Sequence, residues 1–167
     1  MVRKTKAVLD KVAESKVHNP SAASIADVPY SIDSKKSDDI LGYKSEMNKG
    51  VYKYTIGRPD VVLKEYCVTG TTFLGFNTWE AFQDTTDYAA VCGDFAMLEN
   101  EVDPVIKALA ENNIEVVAFH NYIVHQQPRI LLLEYRGVGN AVQLAKGLKA
   151  ALDQTGKNKR EMGSMKM

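Results

Sequence analysis

The apolar and polar positions follow a regular pattern only in the middle of the chain, from about residue 49 to residue 156. Within residues 52–56, tyrosine and isoleucine alternate with lysine and threonine, which is the period of a strand buried on one face. The run Arg58-Pro59-Asp60 has turn chemistry, and residues 61–68 resume a strand-like pattern. We therefore predict a β-hairpin at the start of this region.

A further strand and a helix are predicted after the hairpin. Residues 88–98 are strand-like, and Gly93-Asp94 within them indicates a bulge or a close approach of another group. The next apolar residues recur at i, i+3, i+4 and i+7, which is the period of a helix with one buried face. Asn100 or Asp103 can cap its start, and two consecutive asparagines are expected to end it.

The remaining pattern consists of two strands and a second helix. Residues 114–124 and 129–136 are separated by a turn, and Asn140 is placed to cap a helix with a buried stripe over residues 141–152. The order is therefore strand, helix, strand, strand, helix. A hairpin between two helices favours an α+β fold, in which both helices pack on one face of a mainly antiparallel sheet with a ferredoxin-like arrangement.

The two ends of the chain lack this regularity. We predict that residues 1–48 form an N-terminal arm, with a short helix around Val8, Leu9 and Val12 followed by irregular structure. Residues 49–156 are predicted to form a single domain, and residues 157–167 a flexible tail. The long arm also suggests a homo-oligomer formed through these residues.

Composition and charge restrict the classes of function. The 167 residues include 21 basic and 21 acidic side chains, so the net charge of zero argues against a nucleic-acid partner. No apolar run reaches the roughly 18 residues of a membrane-spanning helix, and no secretory signal is recognisable, so we expect no membrane association and a cytoplasmic setting. Nucleotide-binding loops, nucleophile elbows and zinc-helix motifs are absent from the sequence.

Residues 49–155 contain a set of short motifs that together resemble those of a known protein family. The motifs are Gly50-Val51-Tyr52-Lys53, Leu74-Gly75-Phe76-Asn77-Thr78-Trp79 with Ala81-Phe82, Gly93-Asp94, Glu101-Val102 with Pro104-Val105, Ala108-Leu109, Asn113-Ile114-Glu115-Val116, Ala118, His120-Asn121 and Pro128-Arg129. Together they resemble the LppY/LpqO-type bacterial family, a group of unknown function named after lipoproteins. The resemblance implies a shared fold and no particular activity.

The resemblance also implies that a metal site has been altered. The family shows a His-Asn-His triplet on the first hairpin strand and a His-x-His-Gly-His run on the second. In this chain the corresponding runs are His120-Asn121-Tyr122 and Glu134-Tyr135-Arg136-Gly137-Val138, so only one of five imidazoles is kept. This chain is therefore interpreted as a divergent member with a degenerate metal site.

Residues two apart in a strand share a face, so His120, Tyr122, Glu134 and Arg136 are predicted to project together. Three interpretations remain open for this face. It forms a structural polar patch, or a weak metal site in which His120 and Glu134 are joined by Asp94 or Glu101, or a pocket in which Arg136 binds a small anion. No bound cofactor is expected.

Two further residues are candidates because polar groups inside apolar runs need partners. Asn77 lies in an aromatic segment, and Asp94 lies in a hydrophobic strand. The function favoured by these observations is a non-catalytic module that binds a small anionic ligand or a protein partner. The alternative is an enzyme in which His120 acts as general acid or base, Glu134 orients it and Arg136 holds an anionic substrate. No catalytic residue is assigned beyond this alternative.

Overall fold

A computed structural model of the chain describes Lys6, residues 31–65 and residues 68–156. Its elements follow one another as three α-helices and eight strands. The helices are α1 (Ser34–Leu41), α2 (Val102–Glu111) and α3 (Ala141–Leu152). The strands are β1 (Glu46–Asn48), β2 (Val51–Gly57), β3 (Lys64–Glu65), β4 (Val68–Thr69), β5 (Asn77–Asp84), β6 (Ala89–Leu98), β7 (Glu115–Asn121) and β8 (Ile130–Gly139).

Six of the strands form one antiparallel sheet in the order β1-β2-β5-β6-β8-β7, and β3 and β4 form a separate two-stranded hairpin. β8 lies between β6 and β7, so the chain runs from β6 through α2 to the sheet edge and then returns to the middle. This split strand–helix–strand unit is the ferredoxin-like arrangement predicted from the sequence. The predicted α+β class with a mainly antiparallel sheet is confirmed.

The main core lies between the sheet and the layer of helices, with α3 packed against both α1 and α2. It takes every second residue of the central strands, including Val91 and Phe95 of β6 and Leu133 and Tyr135 of β8. Leu144 and Leu148 of α3 close it from above. The period of two in the strands and the apolar stripe in the helix therefore meet in one layer, as their patterns require.

A smaller core lies on the opposite face of the sheet. Leu63 and Phe76, from the segment that joins β2 to β5, cover Ala96, Ile130 and Leu132 of the sheet. This segment covers one end of that face only. We call the sheet face opposite the helices the open face, and its uncovered part carries the polar residues described below.

The local signals for helix ends agree with the structure. Asn140 caps α3 as predicted, because its Oδ1 accepts bonds from the N–H groups of Val142 at 3.1 Å and Gln143 at 3.3 Å. α2 is followed by Asn113 with φ of 57°, the left-handed conformation that asparagine tolerates. The cap of α2 differs from the prediction, because a 3₁₀ turn over Glu99–Glu101 precedes it and Glu101 occupies the cap position.

The predicted first hairpin is wrong in its pairing. β2 pairs with β1 on one side and β5 on the other, whereas residues 61–68 form no strand against it. A hairpin does begin the sheet, but it joins β1 to β2 through a tight turn in which Lys49 and Gly50 both have positive φ. The strand over residues 52–56 is confirmed. Its predicted pairing partner is wrong, because strand pairing depends on contacts between residues distant in sequence.

Regular structure begins before the boundary predicted at residue 49. Residues 31–48, which were expected to be irregular, contain α1 and β1, and Ile32 and Leu41 belong to the main core. α1 was missed because it is short and has only one buried apolar residue in eight. Its ends are nevertheless well marked, since Asp33 accepts a bond from Lys36 N–H and Gly42 follows with φ of 80°. The predicted helix near Val8 and the predicted tail lie outside the described residues.

Within the described part of the chain, no helix has both the length and the apolar character needed to cross a membrane.

Candidate functional site

A row of residues crosses the uncovered part of the open face. The strand register places Trp79 of β5 opposite Asp94 of β6, Asp94 opposite Glu134 of β8, and Glu134 opposite Ala118 of β7. Directly paired residues share a face, so these side chains project side by side. His120 lies two residues beyond Ala118 on the same strand, which places it diagonally across from Glu134.

Asp94 and Glu134 form the centre of this row, and His120 lies beside Glu134. We call these three residues the acidic–histidine cluster. His120 Nε2 lies 3.7 Å from Glu134 Oε1, and about half of each of these two side chains is exposed. His120 Nδ1 lies 3.0 Å from the carbonyl oxygen of Asn121, and since a carbonyl only accepts, Nδ1 carries the proton. Nε2 is therefore the nitrogen that neutral His120 presents to a ligand.

Asp94 is the most perturbed member of the acidic–histidine cluster. Burial is the main cause that raises the pKa of its carboxyl to about 6; nearby His120 opposes this rise, and Glu134 adds to it. Its Oδ1 is buried and has no hydrogen-bond partner in the described part of the chain. A half-buried carboxylate with one unpaired oxygen is therefore the strongest sign of an unfilled interaction on the open face.

Arg136 projects from the open face, as predicted, but it is engaged by a neighbour. Its Nε donates to Glu115 Oε2 at 2.8 Å, and both side chains are exposed. Because the two charges cancel, Arg136 adds little positive potential to the acidic–histidine cluster. Cys92, opposite Arg136 in the register, is an exposed free cysteine.

Tyr122 lies on the same side of the sheet, but its side chain packs at the covered end of that face. β7 ends at Asn121, and the Tyr122 hydroxyl donates to the carbonyl oxygen of Leu74 at 2.8 Å. Its ring packs against the smaller core, with Phe76 at 6.1 Å between ring centroids, and burial raises the pKa of its hydroxyl. Tyr122 therefore holds the covering segment in place and stands apart from the acidic–histidine cluster.

Trp79 lies at the β5 end of the row, opposite Asp94, and is half-buried. The Lys53 ammonium from neighbouring β2 lies 4.6 Å from the centre of its ring, which is a cation–π contact. The face of this indole is therefore an environment that accepts a positive charge.

The two other candidate residues lie elsewhere. Asn77 Nδ2 donates to the carbonyl oxygen of Thr72 at 2.9 Å, so its amide fixes the turn before β5. Glu101 is buried and accepts from Arg58 at 2.8 and 2.9 Å, from Leu98 N–H at 2.8 Å and from Gly156 N–H at 2.7 Å. Both residues thus hold the fold together, and neither reaches His120.

Sequence reasoning missed the role of Arg58. All five of its N–H groups are used, by Asp60, Glu101 and the carbonyl oxygen of Ala96. The sequence showed only a turn, and no local signal connects Arg58 to Glu101, which follows 43 residues later.

Sequence reasoning also missed Glu80, for which a signal existed. Thr78, Glu80 and Phe82 follow one another at every second position of β5. Their side chains therefore lie on the same face, which is buried. It is fully buried, both carboxyl oxygens lack partners in the described part of the chain, and burial raises its pKa to about 8. The Tyr135 hydroxyl, also buried and unpaired among the described residues, lies over Gly93, where a Cβ would clash with it. The close approach predicted at Gly93 is therefore present.

Among the residues that the structure describes, no three or more histidine, cysteine, aspartate or glutamate side chains are arranged to hold a metal ion. Of the ligand set considered from the sequence, His120 and Glu134 lie 3.7 Å apart with Asp94 beside them, whereas Glu101 is paired with Arg58.

These features define an α+β protein with helices on one face of a six-stranded antiparallel sheet and a polar cluster on the other. The chain matches the family described as Domain of Unknown Function (DUF1259) over residues 35–154, and therefore belongs to that family. The match begins in α1, before the boundary expected from the sequence, and ends just after α3. No curated protein and no solved structure gives a significant match.

Proposed function

We propose that this protein is a non-catalytic binding module whose acidic–histidine cluster receives a positively charged group of a small ligand or of a protein partner. The observation that carries the proposal is the unpaired buried oxygen of Asp94, beside half-exposed Glu134 and His120. A buried acceptor without a partner costs free energy that a donor from a ligand would recover.

The charges of this surface favour a basic group. Asp94, with a pKa of about 6, is mostly ionised at neutral pH, Glu134 is a second carboxylate beside it, and the positive charge of Arg136 is offset by Glu115. The Lys53 ammonium lies over the indole of Trp79, next in the row, so that ring face is already occupied and the preference for a basic group rests on Asp94 and Glu134. The anionic ligand suggested by the sequence stays a prediction, and the pairing of Arg136 weighs against it.

Within the family, we further propose that the chain is a divergent LppY/LpqO-type member in which the metal-binding histidines have been replaced. Support comes from the positions themselves, since Glu134 and Arg136 project from the open face beside His120, where that resemblance places imidazoles. A ligand would then occupy the surface on which relatives are expected to hold a metal.

The second candidate is an enzyme in which His120 transfers protons. It is favoured by one observation, namely that His120 Nδ1 donates to a backbone carbonyl and leaves Nε2 directed towards Glu134. In this case a bound ligand would be chemically changed.

Titration of the labelled protein with putrescine, followed by NMR, tests the proposal. We expect saturable shifts at Asp94, His120 and Glu134 and weaker binding to Glu134→Gln. Glu111→Gln is the matched control, because Glu111 is an exposed glutamate of α2 in the helical layer. Acetate, the anionic probe, should cause no comparable shifts.

Three results would count against the module. Acetate binding in preference to putrescine would reverse the charge preference. Consumption of the bound probe during prolonged incubation, abolished by His120→Gln, would favour the enzyme. Stoichiometric zinc, iron or nickel in the purified protein, lost in His120→Ala, would show a working metal site.

A further inference from the structure

A cavity lies at the end of the sheet, where the β7–β8 loop meets the turn between β6 and α2. It has a volume of about 610 Å³, within the range of small-molecule sites in proteins. Its walls come from residues 98–100, residue 121 and residues 123–129. Asp94, His120 and Glu134 do not line it, so it is distinct from the acidic–histidine cluster.

The side chain of Gln126 forms part of the cavity wall and is only 3% exposed. Its Nε2 donates to the carbonyl oxygen of Ile130 at 3.1 Å, which fixes the orientation of the amide. Its Oε1 is buried and has no partner in the described part of the chain. Leaving such an acceptor unpaired costs free energy, which a donor that reached it from the cavity would recover.

The rest of the polar lining is rich in side-chain amides. Asn100, Asn121 and Gln127 line the cavity together with Gln126. A side-chain amide carries both a donor and an acceptor, as a hydroxyl does, so neighbouring amides match neighbouring hydroxyls. Apolar residues between them, including Ile123 and Pro128, offer surface to the C–H groups of such a ligand.

The charged residues of the cavity cancel one another. Arg129 Nη1 and Glu99 Oε1 lie 4.0 Å apart, and both side chains are exposed at the surface. A ligand with a net charge would gain attraction from one of these groups and repulsion from the other. A neutral ligand is therefore favoured.

We propose that this cavity is a binding site for a small neutral polyol of monosaccharide size, with one ligand hydroxyl donating to Gln126 Oε1. The loop that lines the cavity follows directly after β7, so a rigid sheet edge positions it. This site is independent of the function proposed for the acidic–histidine cluster.

The test is an NMR titration of the full chain with D-glucose, D-galactose and D-ribose as probes. We expect saturable shifts confined to residues 98–100 and 121–129 for at least one of them. Asn121→Ala and Gln127→Ala should each weaken that binding about fivefold, as expected for loss of one hydrogen bond of about 1 kcal/mol. Gln143→Ala is the matched control, because Gln143 is an exposed amide in α3.

Gln126→Met removes the buried amide and should weaken binding further. Should this variant fail to fold, the two exposed variants still decide the matter. Absence of saturable shifts with all three sugars would overturn the proposal, and so would equal affinity of Asn121→Ala, Gln127→Ala and the control. Tighter binding of glucosamine or glucose 6-phosphate than of glucose would overturn the preference for a neutral ligand.

Discussion

Glu101 and Glu80 are buried carboxylates in the same small protein, yet their surroundings are opposite. Glu101 accepts four hydrogen bonds, two of them from the Arg58 guanidinium. Glu80 is fully buried, and neither of its oxygens has a partner among the described residues. Glu101 therefore links the ends of β2 and β6 to the segment that follows α3, whereas burial favours the protonated form of Glu80.

The comparison shows that burial alone does not define a role for a charged residue. A carboxylate with all its hydrogen bonds made stabilises the fold, whereas a buried one without partners lowers the unfolding free energy at any pH at which the unfolded chain would ionise it. Asp94 lies between the two cases, since it is partly buried and has one unpaired oxygen. Its position on the uncovered part of the sheet is what makes it a candidate for binding.

The largest effect is expected for Glu101→Gln. This change leaves the buried Arg58 guanidinium without one of its two carboxylate partners, which costs about 3–5 kcal/mol of unfolding free energy. Urea denaturation measures the loss, and Glu99→Gln, on a neighbouring exposed side chain, is the control. An unchanged midpoint for Glu101→Gln would show that the Arg58 cluster does not hold the fold.

Glu80→Gln should raise the unfolding free energy, in contrast to Glu101→Gln, and the gain should depend on pH. The pKa of Glu80 is raised from 4.5 to about 8 in the folded state, so the unfolded chain loses its proton first as the pH rises. Unfolding free energy therefore falls between those two pH values, and glutamine removes this fall.

We expect similar stability of wild type and Glu80→Gln near pH 4.5, and a gain for the variant on the order of 2–4 kcal/mol at pH 8. Thermal denaturation across this pH range measures it. Glu46→Gln, at an exposed position of β1, should show no such gain. Parallel curves for wild type and Glu80→Gln would contradict the prediction.

Asp94→Asn should also raise the unfolding free energy, but by a smaller amount and over a lower pH range than Glu80→Gln. The folded pKa is raised from 3.8 to about 6, so stability falls as the pH rises through that interval. Partial exposure screens the effect, and we expect the variant to gain about 1 kcal/mol at pH 7. The same denaturation series measures this gain, with exposed Asp87→Asn as the control. A loss of stability at pH 7 would mean that ionised Asp94 has a stabilising partner.

The smallest effect is expected for Arg136→Ala. Arg136 and Glu115 are both exposed, and such ion pairs contribute little to stability. The unfolding midpoint should stay within experimental error, while putrescine binding should be unchanged or slightly tighter. Weaker putrescine binding by the variant would show that Arg136 helps to form the site.

The sequence predicted much of the sheet but less of the candidate site. β6, α2, β7, β8 and α3 followed from periodicity and from capping residues, because those signals are local. The prediction that His120, Glu134 and Arg136 share a face was correct, since a strand alternates regardless of its neighbours. The roles of Arg58 and Glu101 could not be predicted, because their contact joins segments that no local pattern connects.

The sequence by itself determined which residues alternate, which helices have a buried stripe and where the turns interrupt them, because each depends on a few adjacent residues. Only the tertiary structure decided which strand pairs with β2, that residues 31–48 belong to the domain, and which charged residues have partners. Those outcomes depend on burial and on contacts between distant segments, and burial is what distinguishes Glu80 from an exposed glutamate such as Glu46.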